Sequence, residues 1–353
     1  MAMLMCKNTP IYDIANRTVL DATLCPFIVG DDSYDNSIVQ KNYEKWRSNR
    51  TYLRTNRIAE QIVIQSGGSN TRESKRRLSL SDSFWVKYAI DKDVKFEDIT
   101  PYSNSFSLLV PRGGQRPSST PELVLGGAQP KQWLCDETDN FTYMRKAEFP
   151  EQVHAEMLAV KLARYAAIPV MNAFIETGCD NYRIYADDYS AITNAGTINL
   201  VNMTTPEFSL IQLDQMGIGV NGLNPVNVIN AYENAGVTNI EKQKVICQVV
   251  FDGVVGNIDR QHNNSNWGVL MCNETGTRSV SPMYDFNWAN IGGKSQIIDS
   301  IARNIVQNNT PDEIEATLTI SYKLAKCCED LGLTQWQDNA ESLAHDIQQI
   351  SSS

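Results

Sequence analysis

The strongest constraint on the fold is an apolar run between residues 245 and 255. Thr238-Asn239-Ile240-Glu241 has the pattern of a capping box and predicts that a helix starts there. The apolar residues that follow occupy most of the circumference of this helix: Val245, Ile246, Val249, Val250, Phe251, Val254 and Val255. A helix without a polar face must be surrounded by other elements, so we expect it to be buried and to end at Gly253 or Gly256.

The segment directly after this helix is polar and reads Gly256-Asn257-Ile258-Asp259-Arg260. A second carboxylate follows in Met283-Tyr284-Asp285-Phe286, after a predicted hairpin with its turn at Asn273-Glu274-Thr275-Gly276. Because a hairpin returns the chain, we expect Asp285 to lie near Asp259. In isolation, the two carboxylates are equally typical of turns and helix caps. A buried helix, however, is a rigid mount for catalytic groups.

Composition narrows the class of protein. The chain has 353 residues, of which 42% are apolar and 20% are charged, so we expect a globular protein with a real core. Its net charge of −10 argues against direct binding to nucleic acids. No stretch approaches the roughly 18–20 apolar residues of a membrane span. The N-terminus is too interrupted for a secretory signal.

Cysteine usage indicates a reducing compartment. The eight Cys are scattered and form no CxxC pair, and the chain has three His. This pattern argues against a structural zinc site. We therefore expect free thiols and a cytoplasmic location.

Periodicity gives a coarse secondary structure. Short strands are expected within residues 1–40, at 11–14 and 25–29, and further strands at 141–146 and 197–203. Helices are expected at 41–66, 150–166 and 206–216 and in three amphipathic runs at 297–306, 311–331 and 335–350. In the first helix an arginine stripe is either a solvated face or a site for an acidic partner or a phosphate: Arg47, Arg50, Arg54 and Arg57.

Two further patterns have an ordinary and a functional interpretation. Gly126-Gly127 lies between apolar residues and suits either a hairpin turn or a loop over phosphates. The helix opened by Pro150 places Glu156 on an apolar stripe, where a carboxylate needs a cationic partner unless it reaches water at the edge. Lys146, on the preceding strand, is the candidate partner.

Taken in the order in which they occur along the chain, these motifs resemble those of HipA-like serine/threonine kinases. Residues 125–131 resemble the glycine-rich loop, Lys146 the strand lysine and Glu156 its ion-pair partner. Residues 256–260 resemble the catalytic loop, and Tyr284-Asp285-Phe286 resembles the metal-binding motif. The resemblance covers roughly residues 120–330, and residues 78–87 resemble a segment upstream in such proteins.

The resemblance implies an α+β, two-lobed protein-kinase-like fold, with a small β-rich N-lobe and a larger helical C-lobe. Residues 1–110 would be an N-terminal region, 111–200 the N-lobe and 201–353 the C-lobe. The cofactors would be ATP and Mg²⁺. The residues implied to bind ATP are Gly126, Gly127, Ala128, Gln129, Lys131 and Lys146.

The implied catalytic residues are Asp259, Lys146 and Glu156, and Asp285 would bind the metal together with an Asn. Asn264 stands at the family's usual spacing after Asp259, whereas Asn266 has the usual context before Trp267-Gly268. We favour Asn266, which makes the loop two residues longer. Some members are silenced by phosphorylation beside the glycine loop, and the nearest candidates here are Ser118, Ser119 and Thr120.

The leading hypothesis is therefore a Mg²⁺- and ATP-dependent kinase of Ser/Thr hydroxyls in a protein substrate, with autophosphorylation expected. The resemblance also suggests the toxin of a toxin–antitoxin pair, with an antitoxin as partner, or an effector delivered to a host cell. One alternative is a kinase of lipids or small molecules, because the stretch at 256–260 is also similar to phosphoinositide kinases. A second alternative is a nucleotide-binding pseudokinase, which the unusual loop length would favour.

Overall fold

The computed structural model describes residues 2–28, 35–50, 81–100, 131–135, 142–175, 196–201, 203–238, 240, 242–293 and 295–352. Contacts divide the chain into two compact units that alternate along the sequence. The β-rich unit comprises Met1–Pro150, Asn172–Gly217 and Val269–Arg278, and the helical unit comprises Glu151–Met171, Ile218–Gly268 and Ser279–Ser353. The division into segments 1–110, 111–200 and 201–353 stays a prediction.

The β-rich unit begins with a four-stranded antiparallel sheet in the order β3-β2-β1-β4. Its strands are β1 (Ala2–Cys6), β2 (Thr9–Asp13), β3 (Thr18–Val19) and β4 (Phe84–Tyr88). The predicted strand at 11–14 is thus confirmed as part of β2. The predicted strand at 25–29 is wrong over its described residues, because the backbone closes turns there: Cys25 N–H donates to Ala22 O, and Ile28 N–H to Cys25 O.

Aromatic packing joins this sheet to a helix. Helix α1 (Asn36–Arg50) begins five residues before the predicted helical stretch 41–66 and covers its first ten residues, whereas Arg54 and Arg57 of the predicted stripe lie outside the described residues. A short helix, α2 (Phe96–Ile99), follows β4. Neighbouring rings of the cluster have centroids 4.9–6.3 Å apart, and each such pair stabilises the unit by about 0.5–1.5 kcal/mol beyond its burial. The cluster consists of Tyr12, Phe27, Tyr43, Trp46 and Phe84.

A second antiparallel sheet has the order β5-β6-β8-β7. Its strands are β5 (Lys131–Cys135), β6 (Thr142–Glu148), β7 (Ala173–Phe174) and β8 (Gly196–Val201). The predicted strands at 141–146 and 197–203 are confirmed. In the register of β5 and β6, Lys131 and Lys146 are Cα partners.

The third sheet corrects one prediction. Its strands are β9 (Phe208–Gln212), β10 (Gly268–Cys272) and β11 (Arg278–Val280), in the order β11-β10-β9. The helix predicted at 206–216 is wrong, because burial alternates there with period two: Ser209, Ile211 and Leu213 are buried. The hairpin between β10 and β11 has its predicted turn, closed by a bond from Gly276 N–H to Cys272 O of 2.9 Å.

Distant segments of the β-rich unit meet in a buried polar network. Ser83 N–H donates to Oγ of Ser209 at 3.0 Å, and this hydroxyl donates to Oδ1 of Asn273 at 2.7 Å. Asn273 Nδ2 donates to Oγ of Ser83 at 3.1 Å. Arg278 is buried as well and donates to the carbonyl of Cys25 at 2.7 Å. The hairpin residues thereby complete a core that begins at the N-terminus.

We expect Gly276→Ala to destabilise the protein by about 2–4 kcal/mol. Gly276 has φ +72°, and a Cβ there would clash with the carbonyl oxygen of Thr23, so backbone strain and a clash act together. Gly222→Ala is the matched control, since Gly222 has φ +80° with nothing within 4 Å, and strain alone should lower its stability by about 1–2 kcal/mol. Chemical denaturation measures both, and equal losses would contradict the close approach to Thr23.

The helical unit surrounds one central helix. Its helices are α3 (Pro150–Tyr165), α4 (Pro225–Asn234), α5 (Lys242–Val255), α6 (Asp259–His262), α7 (Ile298–Asn308), α8 (Pro311–Leu331) and α9 (Thr334–Ser352). Helix α5 packs against α4, α7, α8 and α9. All seven apolar residues that predicted a buried helix are buried, so this prediction is confirmed. Asn239 and Glu241 of the predicted capping box lie outside the described residues.

The remaining helices also agree with their patterns. The runs predicted at 297–306, 311–331 and 335–350 coincide with α7, α8 and α9. Thr310 and Glu313 form a reciprocal capping box at the start of α8, and Gly332 ends this helix with φ +70°. The described chain is thus an α+β mixture of helices and small antiparallel sheets. Within it, none of the helices has both the length and the hydropathy that a membrane crossing requires.

Candidate active site

The C-terminal end of α5 positions the polar segment that follows. Gly256 has φ +67°, and Asn257 N–H turns back to the carbonyl of Asp252 at 2.9 Å. Asn257 is fully buried, and its Nδ2 donates to Oδ1 of Asp252 at 3.2 Å and to the carbonyl of Asp285 at 3.4 Å. One amide therefore links the helix end to the segment that carries the second carboxylate.

A buried ion pair forms the base of the site. Nε of Arg260 lies 2.8 Å from Oδ2 of Asp252, and the two side chains are 2% and 0% exposed. The guanidinium also donates to the carbonyls of Asn266 and Tyr284. It lies 5.1–5.9 Å from the centroids of three surrounding rings, those of Trp267, Tyr284 and Phe286. Arg260 thus holds the loop after α5 against the segment around residue 285.

Burial also changes the pKa of the carboxyl group in this pair. It raises the pKa of the Asp252 carboxyl to about 6, although the neighbouring Arg260 guanidinium acts in the opposite direction. The pair was not predicted. Its signal in the sequence is that Asp252 is the one charged residue between positions 245 and 255.

Asp259 is held by two amides. It is half-buried at the start of α6, and its Oδ2 accepts from Nδ2 of Asn266 at 2.8 Å and from Nδ2 of Asn263 at 3.3 Å. A 3₁₀ turn at Asn264–Asn266 closes the loop and buries Asn266. Asn264 instead accepts from the backbone N–H of Val220 at 2.8 Å. The fold therefore brings Asn266 to Asp259, while Asn264 anchors a neighbouring loop.

Asp285 has an unusual backbone. It is half-buried and adopts φ +62°, the left-handed region, which costs a residue other than glycine roughly 1–2 kcal/mol. Several contacts hold this conformation. Tyr284 OH donates to the carbonyl of Ser265 at 2.8 Å, and Phe286 N–H donates to Oε1 of Glu156 at 3.3 Å. Strain that the surroundings maintain in this way is typical of functional sites.

Glu156 and Lys146 are both buried. Glu156 is 1% exposed on α3, so it is buried on the apolar stripe and does not reach water at its edge. Its contact with Phe286 N–H ties α3 to the Asp285 segment, which the sequence did not indicate. Lys146 is 2% exposed on β6. The ion pair between these two residues stays a prediction.

Several predicted site residues lie outside the described residues. They are the glycine-loop residues Gly126, Gly127, Ala128 and Gln129 and the candidate phosphorylation sites Ser118, Ser119 and Thr120. Lys131 is the first residue of β5, and its role toward phosphates stays a prediction.

The two residues predicted to bind the metal carry atoms that suit a magnesium ion. Carboxylate and amide oxygens are the hard ligands that Mg²⁺ prefers, and Asp285 and Asn266 supply one of each. Since Nδ2 of Asn266 donates to Asp259, Oδ1 is the atom of this amide that suits a cation. In the described part of the chain there is no cluster of three or more His, Cys, Asp or Glu suited to a metal.

Comparison with known proteins gives a remote structural likeness. No protein-family model and no curated protein matches the chain. Among solved structures, the chain is similar to the crystal structure of a Helicobacter pylori proinflammatory kinase, CtkA. The TM-score is 0.40 with 16% identical residues, over 63% of this chain and 92% of that one. A likeness at this level does not assign the chain to a family.

Proposed function

We propose that this chain is an ATP-dependent phosphotransferase of the HipA-like kind, which transfers a phosphoryl group to Ser/Thr hydroxyls of a protein. The observation that carries the proposal is the strained, left-handed Asp285. The residue before it, Tyr284, shares the Arg260 guanidinium with Asn266, and Asn266 binds Asp259. Two acidic side chains and one amide, fixed within one compact unit, suit a reaction that needs mainly alignment and neutralisation of charge.

Asp285 and Asn266 would hold the metal, and Lys146, Lys131 and the residues of the 126–129 loop would hold the nucleotide. When bound, Mg²⁺ supplies positive charge to the phosphate oxygens. Both metal-holding residues belong to the helical unit and are braced through Asn257 and Arg260. Such bracing fixes the donor oxygens before any ligand arrives, which limits reorganisation during the reaction.

Asp259 would accept the hydrogen bond of the substrate hydroxyl. Two amides bind its Oδ2, which leaves Oδ1 for this contact among the described residues. Because the carboxylate cannot rotate without breaking both bonds, it holds the acceptor oxygen in one direction. Orientation of this kind contributes a large part of the rate in bimolecular reactions.

The contact between Asn266 and Asp259 also bears on the pseudokinase alternative. That alternative rests on the unusual loop length after Asp259. The 3₁₀ turn accommodates the longer loop and still brings an amide to the carboxylate, so the loop length is no argument against transfer. The Ser/Thr specificity, the autophosphorylation, the toxin or effector role and the antitoxin partner are proposals that rest on the resemblance alone.

We expect Asn266→Ala to raise the Mg²⁺ concentration needed for half-maximal transfer by about tenfold or more, since one metal donor is lost. Asn264→Ala is the matched control. Its amide binds the backbone of Val220, so the Mg²⁺ response should stay within about twofold of the wild type. Titration of Mg²⁺ while following label from γ-phosphate of ATP into protein measures both. If Asn264→Ala raises the Mg²⁺ requirement and Asn266→Ala does not, Asn264 is the metal-binding residue. If the wild type transfers no phosphate, the proposed function is refuted.

A further inference from the structure

Two large apolar side chains are exposed beside the proposed reaction site. Ile258 directly precedes Asp259 and is 42% exposed, and Trp288 follows Asp285 by three residues and is 53% exposed. Of their neighbours in the chain, Asn257 and Ala289 are buried, at 0% and 8% exposure, and Asp259 is half-buried. Each of the two segments thus exposes one large apolar side chain close to buried polar groups.

Both side chains are mounted on fixed backbone. Ile258 N–H donates to Gly256 O at 3.0 Å, and its carbonyl accepts from Gln261 N–H at 3.1 Å. Beyond Trp288, Asn290 N–H donates to Val255 O at 2.8 Å, and Asn290 O accepts from the indole of Trp336 at 2.7 Å. The Trp288 segment is therefore anchored to the end of α5, two residues before the backbone turns into the Asp259 loop.

This placement suits the substrate rather than the nucleotide. In the proposed function, the acceptor hydroxyl lies at Asp259, and consecutive residues of a peptide are about 3.8 Å apart. Side chains one or two positions from the acceptor would then reach Ile258 and Trp288. A lipid surface is disfavoured as the occupant, because the net charge of −10 repels anionic bilayers.

We propose that Ile258 and Trp288 form a docking site for a large apolar side chain next to the acceptor Ser or Thr of a polypeptide substrate. The inference rests on the proposed function and adds its substrate class. Aromatic residues at the centre of a contact contribute most to recognition, so Trp288 should dominate over Ile258. The two positions would set which hydroxyls are phosphorylated and would leave the chemistry itself unchanged.

The test uses two labelled decapeptides with one central Ser, flanked by Leu in the first and by Gly in the second. The wild type should phosphorylate the Leu peptide with a kcat/KM about 10–100-fold higher than the Gly peptide. Trp288→Ala and Ile258→Ala should remove most of this preference while ATP hydrolysis without peptide is unchanged. Tyr322→Ala is the control, since Tyr322 is an aromatic residue with similar exposure, 49%, on α8. Fluorescence polarisation without nucleotide should show the same loss of affinity.

The outcomes separate the two proposals. Transfer to both peptides without preference, or a preference that survives in both variants, would overturn the docking site and leave the phosphotransferase standing. Trp288-dependent sedimentation with vesicles of phosphatidylcholine and phosphatidylserine, without peptide preference, would assign the residues to a membrane instead. If the wild type neither hydrolyses ATP nor labels any acceptor, the proposed function fails, and the docking site fails with it.

Discussion

Asp259→Asn is expected to lower phosphoryl transfer by about 10²–10⁴-fold, with the fold retained. The variant keeps the size of the side chain but removes the negative charge of the group that accepts the hydrogen bond of the substrate hydroxyl. The charge-assisted bonds from Asn266 and Asn263 to Oδ2 are lost as well. Asp285→Ala should have an effect at least as large, because it removes a carboxylate ligand of the metal. Single-turnover transfer of γ-phosphate, followed with labelled ATP, measures both.

The control for this experiment is Asp338→Asn, an exposed carboxylate on α9 within the same unit. It should leave transfer unchanged, since the same chemical change falls outside the site. Circular dichroism and thermal unfolding must show that the Asp259 and Asp285 variants are folded. Full transfer by both variants would remove these residues from the reaction and with them the proposed function.

Arg260→Met is expected to destabilise the protein by about 3–5 kcal/mol, a large part of a typical domain's stability. The substitution keeps most of the volume but leaves the Asp252 carboxylate buried without its cation. It also removes donors to the carbonyls of Asn266 and Tyr284. Arg303→Met, at an exposed position of α7, should change stability by less than about 0.5 kcal/mol.

This destabilisation should depend on pH. The folded pKa of Asp252 is raised to about 6, above the unfolded value of about 3.9, so the native state takes up the proton first. The cost of the buried charge is therefore present above about pH 6 and disappears as the pH falls toward 4. Without Arg260 the pKa rises further, and the loss of stability should be larger at pH 8 than at pH 5. A loss below about 1 kcal/mol that does not change with pH would show that the pair contributes little.

The elements that were predicted from sequence have local signals. Helix α5 was recognisable because apolar residues cover nearly all of its surface, and the β10–β11 hairpin because Gly276 permits the left-handed turn. Strand β9 was missed because a serine occupies one of its buried positions. Ser209 satisfies its hydroxyl with Ser83 and Asn273, residues far away in the sequence, and no local pattern reveals such partners.

For the same reason, some residues of the site could be predicted from the sequence and others could not. Asp259 and Asp285 stand out as carboxylates after apolar segments. The choice between Asn264 and Asn266 depends on how a short 3₁₀ turn closes, which spacing does not determine. Asn263 and the ion pair of Asp252 with Arg260 act through contacts that appear only when the chain is folded.

The alternation of the two units along the chain has a consequence for biosynthesis. The β-rich unit contains Val269–Arg278, so Asn273 and Arg278 reach its core only after most of the protein has been translated. A ribosome adds roughly 5–20 residues per second, so the N-terminal strands lack part of their core until residues 269–278 have been synthesised. Neither unit can therefore be released as an autonomous fragment by a single cleavage, and we expect the β-rich unit to expose apolar surface until the hairpin has been synthesised.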